Sequence, residues 1–241
     1  WCPVNLTAME KLYLGWKQPK ELTAATTVTG MKPASQGGDV YLVRNSGYDD
    51  EYYLLENRQQ EGWDYGCPGN GLLITHVDYL KSSWANNEVN VSDAHYRFDL
   101  FHADGKDYRA WDPSNTGQAS DKYTMKDGLR CRYLSTSSYP FIDPETQVMN
   151  DILNDGSSPA STVFKKNAEG KSFMSKAISN IRMDSDGTIS FDFMKESTNL
   201  TPALSQGEGE GAWYDLQGRR LQGKPTQRGL HIRNGKKEII R

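Results

Sequence analysis

The chain has 241 residues, of which 36% are hydrophobic and 24% are charged, as in soluble globular proteins that bury a hydrophobic core. At roughly 100–200 residues per domain, this length corresponds to one large domain or two smaller ones. No apolar run approaches the roughly 20 residues that cross a bilayer, and the first residues lack the pattern of a signal peptide. The chain begins at Trp1 rather than at methionine, and we therefore expect it to be part of a longer or processed protein.

The net charge of −3 is unevenly distributed along the chain. Residues 212–241 carry eight basic and two acidic residues, which leaves 20 basic and 29 acidic residues in the rest. A basic end on an acidic body indicates a separate module, although a solvated charged face would have the same composition. No nucleic-acid-binding motif accompanies the basic residues, so we predict no nucleic-acid partner.

Short apolar runs bounded by turn residues predict that most of the chain forms strands. The exception is the first element, where Thr7 and Glu10 have capping-box spacing and apolar residues at helical intervals predict a helix over 6–15. Runs rich in β-branched and aromatic residues then predict strands at 40–45, 52–58, 71–79 and 95–104. The polar residues 106–140 predict a long irregular segment, and residues 144–156 predict one further short helix.

The second half of the chain contains a hairpin and a small module. Residues 175–194 place Ile and Phe on both sides of an Asp-Gly turn, which is typical of a β-hairpin. Residues 197–211 have the composition of a linker, and two strand-like runs follow in residues 212–241. Turn signals about every ten residues favour a β-sandwich. The predicted fold is mainly β, with β-sandwich-like sheets over residues 1–196, a short N-terminal helix, one further short helix and a small C-terminal β module.

His76 and Asp78 end the strand at 71–79 and point to the same face, because side chains alternate along a strand. Leu72 and Ile74 share that face, so the pair lies where the apolar face ends. Three interpretations stay open: a histidine hydrogen-bonded at the sheet margin, a set of metal ligands, or a general base with its orienting carboxylate.

Oxygen-bearing side chains near Asp78 predict a calcium site. Asp104 ends a strand that we expect to neighbour the strand of Asp78, and Asn87 and Asn90 lie between the two. Carboxylate and amide oxygens are the ligands that calcium prefers. The alternative for Asp104 is a turn, and the Asp-Ser-Asp-Gly sequence at 184–187 is likewise interpreted as a hairpin turn.

The chain lacks the motifs of several hydrolase classes. His-Glu-x-x-His, the Gly-x-Ser-x-Gly elbow and the phosphate-binding loop are all absent from the sequence. The three cysteines do not have metal-ligand spacing. They allow one bridge between Cys67 and Cys131, or three unpaired thiols.

Three stretches resemble a known peptidase family when they are taken in order. They are LTAMEKLYLGWKQP (6–19), EYYLLENRQQEGWDYGCPGNGLLITHVD (51–78) and the run from Val89 to Gly105 that contains DLFHADG. Together they resemble secreted zinc metallopeptidases of the immune inhibitor A family, over roughly residues 2–110. The resemblance implies that the zinc-binding helix and the methionine turn lie upstream of these residues, because nothing here matches them.

The resemblance therefore implies a non-catalytic C-terminal part of a secreted zinc metalloendopeptidase. Zinc would be held by the upstream catalytic domain, which is the implied partner, and proteins or peptides would be the substrates. His76 and Asp78 match a His-Val-Asp sequence of the family that is not its zinc motif. This favours a structural or calcium-binding role for the pair.

Residues 212–241 resemble the C-terminal segments of many secreted proteins of the Bacteroides group, with Tyr-Asp-Leu-x-Gly-Arg followed by Gly-Leu-x-Ile and Gly-Lys-Lys. Such segments resemble sorting or surface-delivery modules, and this resemblance implies a secreted or cell-surface protein. The alternative function is an extracellular β-sandwich that binds glycans or a host protein. That alternative predicts an exposed aromatic row, for which Trp63, Trp84 and Trp111 are the candidates.

Overall fold

The computed structural model describes residues 4–67, 69–92, 95–105 and 137–195, together with three strands near the C-terminus. The chain divides into two compact units, Trp1–Glu196 and Ser197–Arg241. We call the first unit the body and the second the C-terminal unit. The predicted linker at 197–211 and most of the irregular segment at 106–140 lie outside the described residues.

The main sheet of the body has five strands in the order β1-β3-β4-β5-β6. Its strands are β1 (Lys20–Glu21), β3 (Tyr41–Arg44), β4 (Glu51–Arg58), β5 (Gly71–Asp78) and β6 (Phe98–Leu100). The strands β3 to β6 pair antiparallel, and β1 pairs parallel with β3. Every residue of β4 is buried, as is every residue of β5 except the half-buried Leu73, and the predictions at 52–58 and 71–79 fall on these two strands.

A second sheet contains β2 (Thr26–Met31), β10 (Ile189–Phe193) and β9 (Ile178–Met183), in that order. The strands β9 and β10 form the predicted hairpin. Its turn is closed by the Asp184 amide, which donates to the Thr188 carbonyl at 2.9 Å, and Gly187 adopts a φ of 78°. This confirms a turn, rather than a calcium loop, at 184–187.

The two sheets share one hydrophobic core. The main sheet contributes Val43, Tyr53, Leu55, Leu72 and Ile74, and the second sheet contributes Val28, Ile178, Ile181, Ile189, Phe191 and Phe193. Because side chains alternate along a strand, the opposite face of the main sheet carries a second cluster that includes Leu42, Tyr52, Leu54 and Val77. The mainly β, sandwich-like fold predicted from the sequence is confirmed.

Two short helices contribute to this second cluster. Helix α1 (Ala8–Tyr13) begins with the predicted capping box, since the Glu10 amide donates to Thr7 Oγ1 and the Thr7 amide donates to Glu10. Helix α2 spans Lys81–Ala85. The helix predicted over 144–156 is wrong: the Asp143 carboxylate accepts hydrogen bonds from the amides of Glu145 and Thr146, which stabilises a turn instead.

The remaining elements are small. Two 3₁₀ turns span Ala34–Gln36 and Gly62–Gly66, and β7 (Phe141–Ile142) pairs with β8 (Met149–Asn150). The C-terminal unit contains a three-stranded antiparallel sheet of β11 (Trp213–Tyr214), β12 (Gly229–Arg233) and β13 (Lys236–Ile240). Among the described residues, no helix is both long enough and apolar enough to cross a membrane.

Candidate functional site

Asp78 lies buried at the end of β5, where it binds the side chains of an arginine and a histidine. Its Oδ2 lies 2.8 Å from Arg97 Nη1 and 2.7 Å from His95 Nε2. Its backbone amide donates to the Arg97 carbonyl at 2.9 Å. The carboxylate that the sequence offered as a calcium ligand is therefore bound by protein donors.

Asp104 lies at the other end of β5. Register pairs Val77 with Phe98 and Thr75 with Leu100, so the antiparallel chain after β6 moves away from Asp78. Asp104 lies near Tyr139, which bridges to Leu72. Six residues of extended strand separate Leu72 from Asp78, about 20 Å at ~3.3 Å per residue. The predicted calcium site shared by Asp78 and Asp104 is therefore not assembled.

The two asparagines of that predicted site do not complete it. Asn87 is exposed just beyond α2, with a φ of 56°. The side chain of Asn90 binds the backbone of Phe98 twice, donating to its carbonyl at 2.7 Å and accepting from its amide at 3.1 Å. Within the described part of the chain, no group of three His, Cys, Asp or Glu side chains is arranged to hold a metal ion.

His76 binds a buried carboxylate from the neighbouring strand. Its Nε2 lies 2.8 Å from Glu51 Oε1, and the carboxylate also accepts from the amides of Phe164 (2.6 Å) and Lys165 (2.9 Å) and from Asn45 Nδ2 (2.9 Å). Burial alone would raise the pKa of Glu51, but these hydrogen bonds outweigh burial and lower the pKa below its ordinary value. Glu51 therefore stays ionised inside the sandwich.

Four aromatic rings stack through this cluster. His95 stacks on Phe164 with 3.8 Å between ring centroids, Phe164 on His76 with 5.1 Å, and His76 on Phe101 with 6.1 Å. The His76 side chain is only 9% exposed. Since a general base must reach its substrate, this arrangement fits a structural connection between β4, β5 and the loop carrying Phe164 better than catalysis.

A second buried cluster, formed by Arg58, Glu56 and Asp64, holds residues 4–8 against the sheet. We call it the Arg58 clamp. Arg58 binds Glu56 and Asp64 at 2.9 Å each and donates to the carbonyls of Asn5 (3.2 Å) and Leu6 (2.6 Å). Burial lowers the pKa of Arg58, but the charges of Glu56 and Asp64 outweigh it and raise that pKa. Arg58 therefore stays charged while buried.

The carboxylates of the clamp bind the same segment. Asp64 accepts from the Asn5 amide at 2.9 Å and from Asn5 Nδ2 at 3.2 Å. Glu56 accepts from the amide of Ala8, the first residue of α1, at 3.1 Å. Sequence reasoning missed this clamp, although a charged pair two residues apart at the end of an apolar strand is a signal that could have found it.

Apolar side chains are exposed beside the clamped segment. Tyr13 and Leu14 at the end of α1 are exposed, and Trp16 is 71% exposed. We call these three residues the α1 surface. Next to α1, a cavity of about 420 Å³ opens between both helices and β6, and Met9, Trp84, Val91 and Phe98 are among its lining residues.

Aromatic residues are also exposed on the loop between β4 and β5. Trp63 is 61% exposed and Tyr65 is 77% exposed, while Asp64 between them is fully buried in the clamp. Trp84 is half-buried and packs against Tyr79 at 5.0 Å, and Trp111 lies outside the described residues. The candidates for an aromatic row therefore do not share one environment.

Comparison of the chain with models of protein families, with curated proteins and with solved structures found no match.

Proposed function

We propose that this chain is the non-catalytic C-terminal part of a secreted zinc metalloendopeptidase, in which the body supports or extends the peptidase domain. Zinc would be held by the upstream catalytic domain, where it would activate water to attack a peptide carbonyl of a protein or peptide substrate. The sequence resemblance over residues 2–110 suggests this role. The C-terminal unit would act as a sorting-like module that delivers the protein to the cell surface or the medium.

The observation that carries the proposal is the exposed α1 surface beside a rigidly held segment. The Arg58 clamp fixes residues 4–8 through buried charged hydrogen bonds, and such bonds are stronger than neutral ones. Exposed Tyr and Trp side chains are enriched at protein interfaces. A domain that packs on the preceding part of its own chain needs both a fixed connection and an apolar contact surface.

The supporting role can be tested in a longer chain that includes the upstream domain. Trp16→Ser removes the most exposed side chain of the α1 surface and should lower the temperature at which peptidase activity is lost by about 5 °C. The matched control is Ile142→Ser, which removes an apolar side chain that is 55% exposed on β7. Equal effects of the two substitutions would contradict packing through the α1 surface.

The second candidate function is an extracellular module that binds glycan or host protein. It is favoured by Trp63 and Tyr65, which a loop anchored through Asp64 presents to solvent. Stacking of sugar rings on such side chains would require their exposure. The test is binding of the chain to an immobilised glycan array. Loss of binding in Trp63→Ala, with binding kept in Trp16→Ser, would establish this function. Absence of binding by the unmodified chain would exclude it.

A further inference from the structure

The cavity between α1, α2 and β6 combines apolar walls with a single carboxylate. Its volume of about 420 Å³ is in the range of pockets that take small ligands, about 300–1,000 Å³. Its apolar lining includes Met9, which is only 5% exposed, and the half-buried side chains of Trp84 and Phe98. Among the described residues that line it, Glu10 is the only one with a charged side chain.

The apolar walls are held in place without a ligand. The Tyr52 hydroxyl donates to Met9 Sδ at 3.5 Å. Trp84 packs against Tyr79 with 5.0 Å between the ring centroids. Because these side chains already have their partners in the body, a ligand that enters the cavity orders little that was free before, which favours binding.

The carboxylate of Glu10 is fixed in direction, and one of its oxygen atoms is available to a ligand. Its Oε2 accepts from the Thr7 amide at 2.6 Å and from the Thr7 hydroxyl at 2.8 Å, within the capping box of α1. No described residue donates to its Oε1. The neighbouring Asn90 offers no such atom, because its side-chain oxygen and nitrogen both bind the backbone of Phe98.

We propose that this cavity binds an arginine side chain of a partner protein. The methylene groups of the arginine lie against Met9 and Phe98, and its guanidinium donates to Glu10 Oε1 beside the Trp84 indole. Long cationic side chains bury their apolar stems in this way while the charged end stays near water. Residues 1–211 contain 29 acidic and 20 basic residues, and this excess of negative charge also attracts a basic partner.

The chemistry of the cavity excludes other classes of ligand. The carboxylate of Glu10 repels an anion, and a neutral apolar ligand leaves that carboxylate without a partner. Arginine is favoured over lysine because a planar guanidinium stacks on an aromatic ring, is less strongly hydrated than an ammonium group and presents a fork of donors to a carboxylate.

The test is a titration of the full 241-residue chain, labelled with ¹⁵N, with the peptide acetyl-Gly-Gly-Arg-Gly-Gly-amide. Two-dimensional NMR spectra follow the indole N–H signal of Trp84, which the variant Trp84→Phe identifies. We expect a saturable shift of this signal with a millimolar dissociation constant, because one side chain supplies most of the contact. The indole signal of Trp63, on the loop between β4 and β5, should not move.

Two further peptides test the charge and the shape of the ligand. Citrulline in place of arginine keeps the shape of the side chain but removes its charge, so this peptide should not shift the Trp84 signal. Lysine in place of arginine keeps the charge but not the planar fork, so this peptide should bind more weakly.

Two substitutions test the carboxylate. Glu10→Gln removes the charge and keeps the capping box, which glutamine also completes, and it should weaken binding of the arginine peptide about fivefold. The matched control is Glu88→Gln, which makes the same change of charge at an exposed residue that does not line the cavity. This control should leave the dissociation constant unchanged.

Three results would overturn the proposal: no saturable shift of the Trp84 signal, equal shifts with the arginine and citrulline peptides, or equal weakening in the two glutamate variants. A lysine peptide that binds more tightly than the arginine peptide would overturn the choice of arginine. The experiment uses only this chain and defined peptides, so its result does not depend on zinc, peptidase activity or an upstream domain.

Discussion

Replacement of Arg58 by alanine is the sharpest test of how the N-terminal segment is held. The substitution leaves the carboxylates of Glu56 and Asp64 buried without their cation, and it removes the donor to two backbone carbonyls. Breaking a buried ion pair in this way costs about 3–5 kcal/mol. For a domain of this size, 1 kcal/mol shifts Tm by about 2–4 °C, so we expect Arg58→Ala to lower Tm by about 12 °C.

The matched control is Arg44→Ala in the same sheet. Arg44 binds Glu21 at 3.0 Å, but this pair is partly exposed, with 33% and 40% of the side chains accessible. Because solvent screens exposed pairs, their contribution is about 1 kcal/mol or less. Thermal unfolding followed by intrinsic fluorescence would compare the two variants.

Hydrogen exchange gives a local measurement for the same prediction. The amides of Asn5 and Ala8 donate to the clamp carboxylates, so Arg58→Ala should accelerate exchange in residues 4–8 more than in β10, whose pairing does not involve the clamp. Equal Tm losses in Arg58→Ala and Arg44→Ala, with unchanged exchange at residues 4–8, would refute the reasoning.

Three further predictions concern pH, metal and packing. The pKa of Glu51 is lowered on folding, so the stability that the ionised carboxylate gives is present above about pH 4.5 and is lost as pH falls through the folded pKa. Glu51→Gln should therefore flatten the decline of Tm between pH 7 and pH 3, and an unchanged decline would contradict this prediction. Chelation should leave Tm unchanged, because Asp78 is bound by protein donors, and a chelator-sensitive Tm that Asp78→Asn abolishes would restore the calcium site. Gly71 has a φ of 137°, and a Cβ atom there would lie 2.6 Å from the Tyr139 carbonyl oxygen, so Gly71→Ala should lower the free energy of unfolding in denaturant by about 2–4 kcal/mol. In the control Gly156→Ala the added Cβ atom makes only an ordinary contact. Similar losses of unfolding free energy in the two variants would exclude the clash.

The strands that could be predicted best from the sequence are those with a strong local pattern of apolar and turn residues. All residues of β4 and all but one residue of β5 are buried, and the hairpin of β9 and β10 surrounds an Asp-Gly turn. The strand β2 was missed, because TTVTGM contains few apolar residues and obtains its partner from β10, more than 150 residues later. Local patterns carry no information about such distant pairing.

The candidate site could also be predicted from local sequence patterns only in part. Alternation along β5 correctly places Leu72, Ile74 and His76 towards the sandwich core. The partners of this site, Glu51 and His95, come from other strands and loops and could not be identified by spacing. The strand of Asp104 does neighbour β5, as expected, but the antiparallel register carries Asp104 to the opposite end.

The central claim is that peptide-bond hydrolysis belongs to an upstream domain and that this chain does not perform it. The most direct measurement is casein hydrolysis by residues 1–241, with and without added zinc, beside the same assay on a longer chain that includes the upstream domain. We predict zinc-dependent cleavage by the longer chain and none by residues 1–241. Metal-dependent cleavage by residues 1–241 alone would contradict the account.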